Sequence, residues 1–174
     1  MAAPSREEAV ATLDQGYRGL LGPVEGVAED DLVRPGTIGG GAWSAKDLVV
    51  HVAIWEEAAI DAVAAIRRGE MPRIETYLRE ETPGVDRYND ETMSAIRDLT
   101  WSDALARAEG AHVTLTGEIR GMTDDEWIAR VPYEAERRKR LAELLASITG
   151  APKRPFGHAF AHIPDLEAFV ESLR

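Results

Sequence analysis

Cysteine is absent from the 174-residue chain, so it can carry no disulfide framework, zinc finger, iron–sulfur cluster or protein thiol nucleophile. Any thiol chemistry must use a thiol brought from outside. Basic residues are outnumbered: 20 Lys and Arg stand against 31 Asp and Glu, a formal net charge of −11. Such a field repels phosphate backbones and anionic lipid heads, which argues against nucleic acid and membrane surfaces as partners. Long apolar runs are missing as well. The longest, around Val49 to Trp55, is interrupted by His51 and falls far short of the ~20 residues of a membrane span. The opening MAAPSREEAV lacks a basic stretch followed by an apolar one, so no secretory signal is expected and the expected address is the cytoplasm.

What is present is helical. A 19.1 kDa chain that is 44% hydrophobic and 29% charged fits one soluble domain over residues 1–174. Ser5 with Glu8, Ser44 with Asp47 and Thr123 with Glu126 each have the spacing in which a hydroxyl and a carboxylate cap a helix start. Val10, Leu13, Tyr17, Leu20 and Leu21 recur every three or four residues, the stripe of an amphipathic helix. A second helix is expected from Ser44 to Ile66 and a third from near Asp86 to Arg120, with a fresh cap around Leu99–Ser102. Two more follow, over 137–149 and 156–173, with Pro164 expected to kink or restart the last. Residues 70–85 read as a long connection with one helical turn at Ile74 to Leu78. The run from Arg34 to Gly41 is a loop. Its glycines precede no lysine and follow no strand pattern, so it is no phosphate-binding fingerprint. No segment alternates apolar and polar residues, and no repeat of 20–50 residues occurs. The fold class is all-α, a four-helix bundle with long crossover connections.

Chemistry concentrates in the histidines. Of four in the chain, His158 and His162 stand four apart, so on a helix both rings lie on one face and can hold one metal ion. His51 shares a stripe with Leu48, Trp55, Ala58 and Ala62 and points inward. Alone it reads as a core histidine satisfied by a carbonyl or carboxylate; with the pair it completes a three-imidazole set with open positions. Zinc suits such a set, and nickel and iron share the ligand preference. His112 has no partner at ligand spacing and reads as a core or edge residue. Asp47 and Asp165 lie where either could orient an imidazole, or simply serve as helix-start acids. Residues 137–154 hold six basic residues, Arg137, Arg138, Lys139, Arg140, Lys153 and Arg154, against Glu143; they read as a solvated surface or as a seat for an anionic cofactor or substrate.

The segment from Trp43 to Glu56, with Trp43-Ser44, Asp47, His51 and Trp55-Glu56 in register, resembles the opening of helix two in the DinB-like (DinB/YfiT) four-helix bundle superfamily, and His158-x-x-x-His162 resembles the second half of its metal triad. The runs Arg87–Glu91, Trp101–Leu105 and Asp124–Trp127 are most similar to the DfsB/ClbS subgroup, named for a colibactin self-protection protein. The resemblance implies an up-down-down-up bundle, often dimeric, with a divalent metal on His51, His158 and His162. Superfamily members include transferases and isomerases that use a low-molecular-weight thiol, a hydrolase that opens a reactive cyclopropane, and many with no known activity.

Three readings follow. In the first, a metal on the triad activates an external thiol or water against a small electrophilic substrate, a detoxification or stress-type activity. In the second, the bundle sequesters a reactive metabolite in a pocket lined by Trp55, Tyr88 and Asn89 without metal catalysis. In the third, the histidines are core residues of a structural bundle.

Overall fold

The structure, a computed structural model, describes residues 4–38, 41–133 and 139–174. Among these the chain forms α1 (Arg6–Leu21), a 3-10 turn (Gly22–Val24), α2 (Glu29–Leu32), α3 (Ala45–Arg67), α4 (Arg73–Leu78), α5 (Thr82–Ser94), α6 (Trp101–Gly121), α7 (Asp124–Ile128), α8 (Leu141–Ile148) and α9 (His158–Ser172). The β pairing among the described residues is limited to isolated bridges, Arg130 with Arg140 and Ala151 with Arg154. The all-α expectation holds.

Helix starts follow the polar pairs. Ser5 Oγ accepts from the Glu8 amide at 3.2 Å while Glu8 accepts from the Ser5 amide at 2.8 Å, and Ser44 with Asp47 repeats the exchange at 3.2 and 2.9 Å. Each box satisfies amides that the first helical turn leaves without partners. Thr100 and Thr123 cap α6 and α7 through their hydroxyls, each 3.1 Å from the amide three residues on.

The four long helices α1, α3, α6 and α9 build the bundle, and side-chain pairs fix their directions. Lys46 Nζ donates to the carbonyls of Arg97 and Leu99 at 2.6 and 3.1 Å, Arg107 forks onto Glu57 at 2.7 Å, and Arg67 reaches Glu118 at 2.6 Å. Start meets start and end meets end, so α3 and α6 run parallel. Arg6 at the head of α1 bonds Met122 and Asp124 beyond the end of α6, so α1 is antiparallel to α6. Gly16 and Gly19 of α1 face Ala159 and Ile163 of α9 in the same order, so those two run together. The order is up-down-down-up.

That α1–α9 contact places the histidine pair. A Cβ on Gly16 would stand 3.0 Å from the Ala159 Cβ and 3.3 Å from the Phe160 ring, so only glycine lets the helices approach this closely. Gly16→Val should therefore destabilise the protein by about 1–3 kcal/mol through overpacking, read as a shift in the urea midpoint; an unchanged midpoint would mean that the helices part freely here.

The structure departs from the sequence reading in three places. The third helical region divides into α5 and α6, because Thr100 caps α6 afresh, and α5 begins at Thr82, where Pro83 in its first turn needs no amide partner. The helix expected over 137–149 begins only at Leu141: the Val131 amide bonds the Lys139 carbonyl and the Leu141 amide bonds the Ala129 carbonyl, both at 2.9 Å, holding the backbone extended there. Arg137 and Arg138 lie outside the described residues. The last helix begins at His158, since Phe156 takes φ 57, and it does not restart at Pro164. Proline removes one intrahelical bond, but the buried Leu166 and Phe169 hold the second half against the bundle.

Candidate metal centre

His51 is the seventh residue of α3, and its ring is pulled into the core by the flanking apolar stripe. Leu48, Trp55, Ala58 and Ala62 along that stripe are all buried, and His51 itself is 4% exposed. His158 is the first residue of α9, anchored by its amide to the Thr149 carbonyl at 2.9 Å, and His162 follows one turn later. The three ring centroids are 4.9, 5.0 and 5.1 Å apart, and one nitrogen of each ring lies within 4.8 Å of the others. The structure thus brings together all three histidines singled out in the sequence.

Burial and mutual proximity keep these rings neutral. Burial, followed by the neighbouring His158 and His162, pushes His51 down to about 2. Burial and His162 push His158 down to about 3. His162 is lowered by burial, with Asp165 opposing. Neutral imidazoles carry the lone pairs that a metal needs.

The donor set fits a divalent ion. His158 Nε2 and His162 Nε2 are 3.2 Å apart, against about 3.3 Å for two nitrogens on a tetrahedral ion at ~2.0–2.1 Å. Asp165 Oδ2 lies 3.6 Å from His162 Nδ1, which favours a proton on Nδ1 and a lone pair on Nε2. The Nδ1 atoms of His51 and His158 are buried without a hydrogen-bond partner among protein atoms. With a lone pair on each Nε2 of His158 and His162, the two nitrogens would repel at 3.2 Å, and a cation between them would relieve that repulsion.

Tryptophans wall the centre. Trp43 tilts over His51 at 4.9 Å, and Trp55 meets His51 and His158 edge-on at 6.5 and 5.8 Å. The Trp55 indole N–H donates to Asn89 Oδ1 at 3.1 Å, and Tyr88 packs edge-on against Trp55 at 5.0 Å. Helix α5 therefore fixes Trp55 from behind. Tyr88 is buried, which with nearby Glu57 raises its hydroxyl to about 12, so it remains a proton donor.

Asp47 belongs to the α3 cap and Asp165 faces His162, which separates the two acids by role. In the basic segment, Lys139 pairs with buried Glu75 at 3.3 Å and Arg154 lies over the Phe160 ring. His112 is more than a filler of the core. Its ring is stacked on Tyr17 at 4.3 Å, with Nε2 2.9 Å from Asp14 and Nδ1 3.5 Å from buried Glu56. These carboxylates raise its pKa against the opposing effect of burial. Asp14 and Glu56 were not legible as partners, being 98 and 56 residues from His112; the one local signal was that Glu56 follows Trp55 in the helix-two motif.

Fold and site together define a four-helix-bundle protein with a three-histidine candidate metal centre between its second and fourth long helices. The family model described as the DinB superfamily matches residues 12–170, and the chain belongs to that superfamily. The crystal structure of an uncharacterised protein from Escherichia coli UTI89 has the same fold, with a TM-score of 0.75 over 97% of this chain and 94% of that one, at 13% identity. No curated protein matches the chain. Among the described residues no helix is long and apolar enough to cross a membrane.

Proposed function

We propose that the protein is a divalent-metal-dependent enzyme of the DinB-like superfamily that turns a low-molecular-weight thiol or water on a small electrophilic substrate. The observation that carries this reading is the triad itself: three neutral imidazoles, His51 buried and His158 and His162 partly buried, converging from two helices, with two ring nitrogens already at metal-sharing distance. Three protein ligands leave positions open, the pattern of a catalytic site; four protein ligands would close it. A zinc or nickel ion held there would lower the pKa of a bound thiol or water toward neutrality. The chain contributes no cysteine, so a thiol nucleophile comes from solution. His51, His158 and His162 would hold the ion, Trp43 and Trp55 would exclude bulk water, and Trp55, backed by Tyr88 and Asn89 of α5, would form the wall beside the substrate.

The test is turnover. Protein loaded with zinc or nickel is mixed with a panel of low-molecular-weight thiols and electrophiles, and thiol consumption is followed. Loss of many equivalents of thiol per chain, abolished by His158→Ala, supports the enzyme. Clearance that stops at one equivalent favours sequestration, and loss of neither thiol nor electrophile with any metal removes the proposal's support.

A further inference from the structure

The buried carboxyl of Glu56 has an assignment that neither the triad nor the fold accounts for. Glu56 is 5% exposed, on α3 between the buried Trp55 and Ala59. Burying a carboxylate is costly unless every lone pair finds a donor, and its protein contact is His112 Nδ1, at 3.5 Å a weak one. Glu56 also lines a small cavity of about 10 Å³ that it shares with Thr149 and His158, bordered by Leu13, Val52 and Phe156. That volume is about one water molecule, and a buried water needs two to four polar partners.

The partners are present. His158 turns Nε2 toward His162, which leaves Nδ1 as its outer nitrogen, and Nδ1 is buried with no protein partner. Thr149 Oγ1 donates to the Leu145 carbonyl at 2.9 Å and keeps lone pairs free to accept. One water in this cavity would accept from His158 Nδ1–H and donate to Glu56 and Thr149. All three groups would then be satisfied at once.

We infer that Glu56 is a positioning residue for the metal centre, linked to His158 Nδ1 through a single buried water, with its carboxyl also in contact with His112, whose other ring nitrogen is held by Asp14. The link fixes the tautomer in which Nε2 of His158 is a lone-pair donor, as outer hydrogen bonds do for metal-bound imidazoles generally. For His162, Asp165 occupies the equivalent place from solvent. This inference rests on the metal reading, and the closing experiment separates the two.

Two measurements decide it. In a crystal structure of the metal-free protein, one water within hydrogen-bond distance of both His158 Nδ1 and Glu56 is expected; a dry cavity, or a water bonded to neither, overturns the link whether or not the protein binds metal. In zinc titrations against a competing chelator, Glu56→Gln should weaken binding by about 10- to 100-fold, and Thr149→Val, which leaves the Glu56–His112 contact intact, should weaken it in the same direction by less. Thermal melts of the metal-free variants control for folding. Zinc affinity unchanged in a folded Glu56→Gln protein overturns the role. A wild-type protein that takes up no zinc refutes the metal reading, and the crystal arm alone then decides the water link.

Discussion

Purified without a histidine tag, the wild-type chain should carry close to one equivalent of zinc, nickel or iron, and the variant His51→Ala/His158→Ala should carry none. Removing two of three ligands leaves one imidazole. At roughly 3 kcal/mol per ligand, the double change costs about 6 kcal/mol, or ~10⁴-fold in affinity. Elemental analysis after gel filtration reads this directly. Because His51 is buried, its truncation leaves a cavity, so His162→Asn serves as a milder companion: it keeps a polar side chain at a half-buried position and should still lose most of the metal. Full occupancy in folded His162→Asn would show that the triad is not the metal site.

Stripped of metal, the protein should lose stability steeply as the pH falls below about 6.5. His51 and His158 are held down to about 2 and about 3 by burial and by neighbouring imidazoles, while in the unfolded chain both titrate near 6.5. Below that value the unfolded state binds the extra protons, so stability rises with pH through this window and is lost on acidification. Each such histidine contributes a slope of about 1.4 kcal/mol per pH unit, so the pair gives close to 3. His112 works in the opposite direction: its pKa is raised by Glu56 and Asp14, so its contribution is present below 6.5 and fades as the pH climbs through its folded value. Three depressed histidines, His162 among them, outweigh one raised one. Urea midpoints at pH 7, 6 and 5 test the slope, and His51→Asn should flatten it. A midpoint independent of pH across this range would mean that the rings are not kept neutral by the fold.

The pH argument depends on burial, and burial marks the division between what local sequence states and what it leaves open. The capping pairs Ser5–Glu8 and Ser44–Asp47 act over three residues, so their chemistry is complete in the string and the helices begin where it says. Position 158 relative to 162 is likewise local, because a helix turns that interval into one face. The end of the third helical region was less legible: Thr100 announces a new start, but whether the chain bends or breaks there depends on Lys46 binding the Arg97 and Leu99 carbonyls from another helix. For the same reason Pro164 misleads when read alone. Its cost is local, whereas the burial of Leu166 and Phe169 that outweighs it is not.

By itself, then, the sequence determined an all-α chain with no thiol of its own, the starts of α1, α3 and α6, and a histidine pair on one helical face. Convergence of His51 on that pair, 107 positions away, needed the bundle, and with it came the displaced imidazole pKa values, the tryptophan walls and the confrontation of Glu56 with His158 across a water-sized cavity. The physical reason is range. Caps and periodicity work within one or two turns of backbone, while desolvation and coordination depend on which distant groups share a low-dielectric interior, and only packing helix against helix decides that.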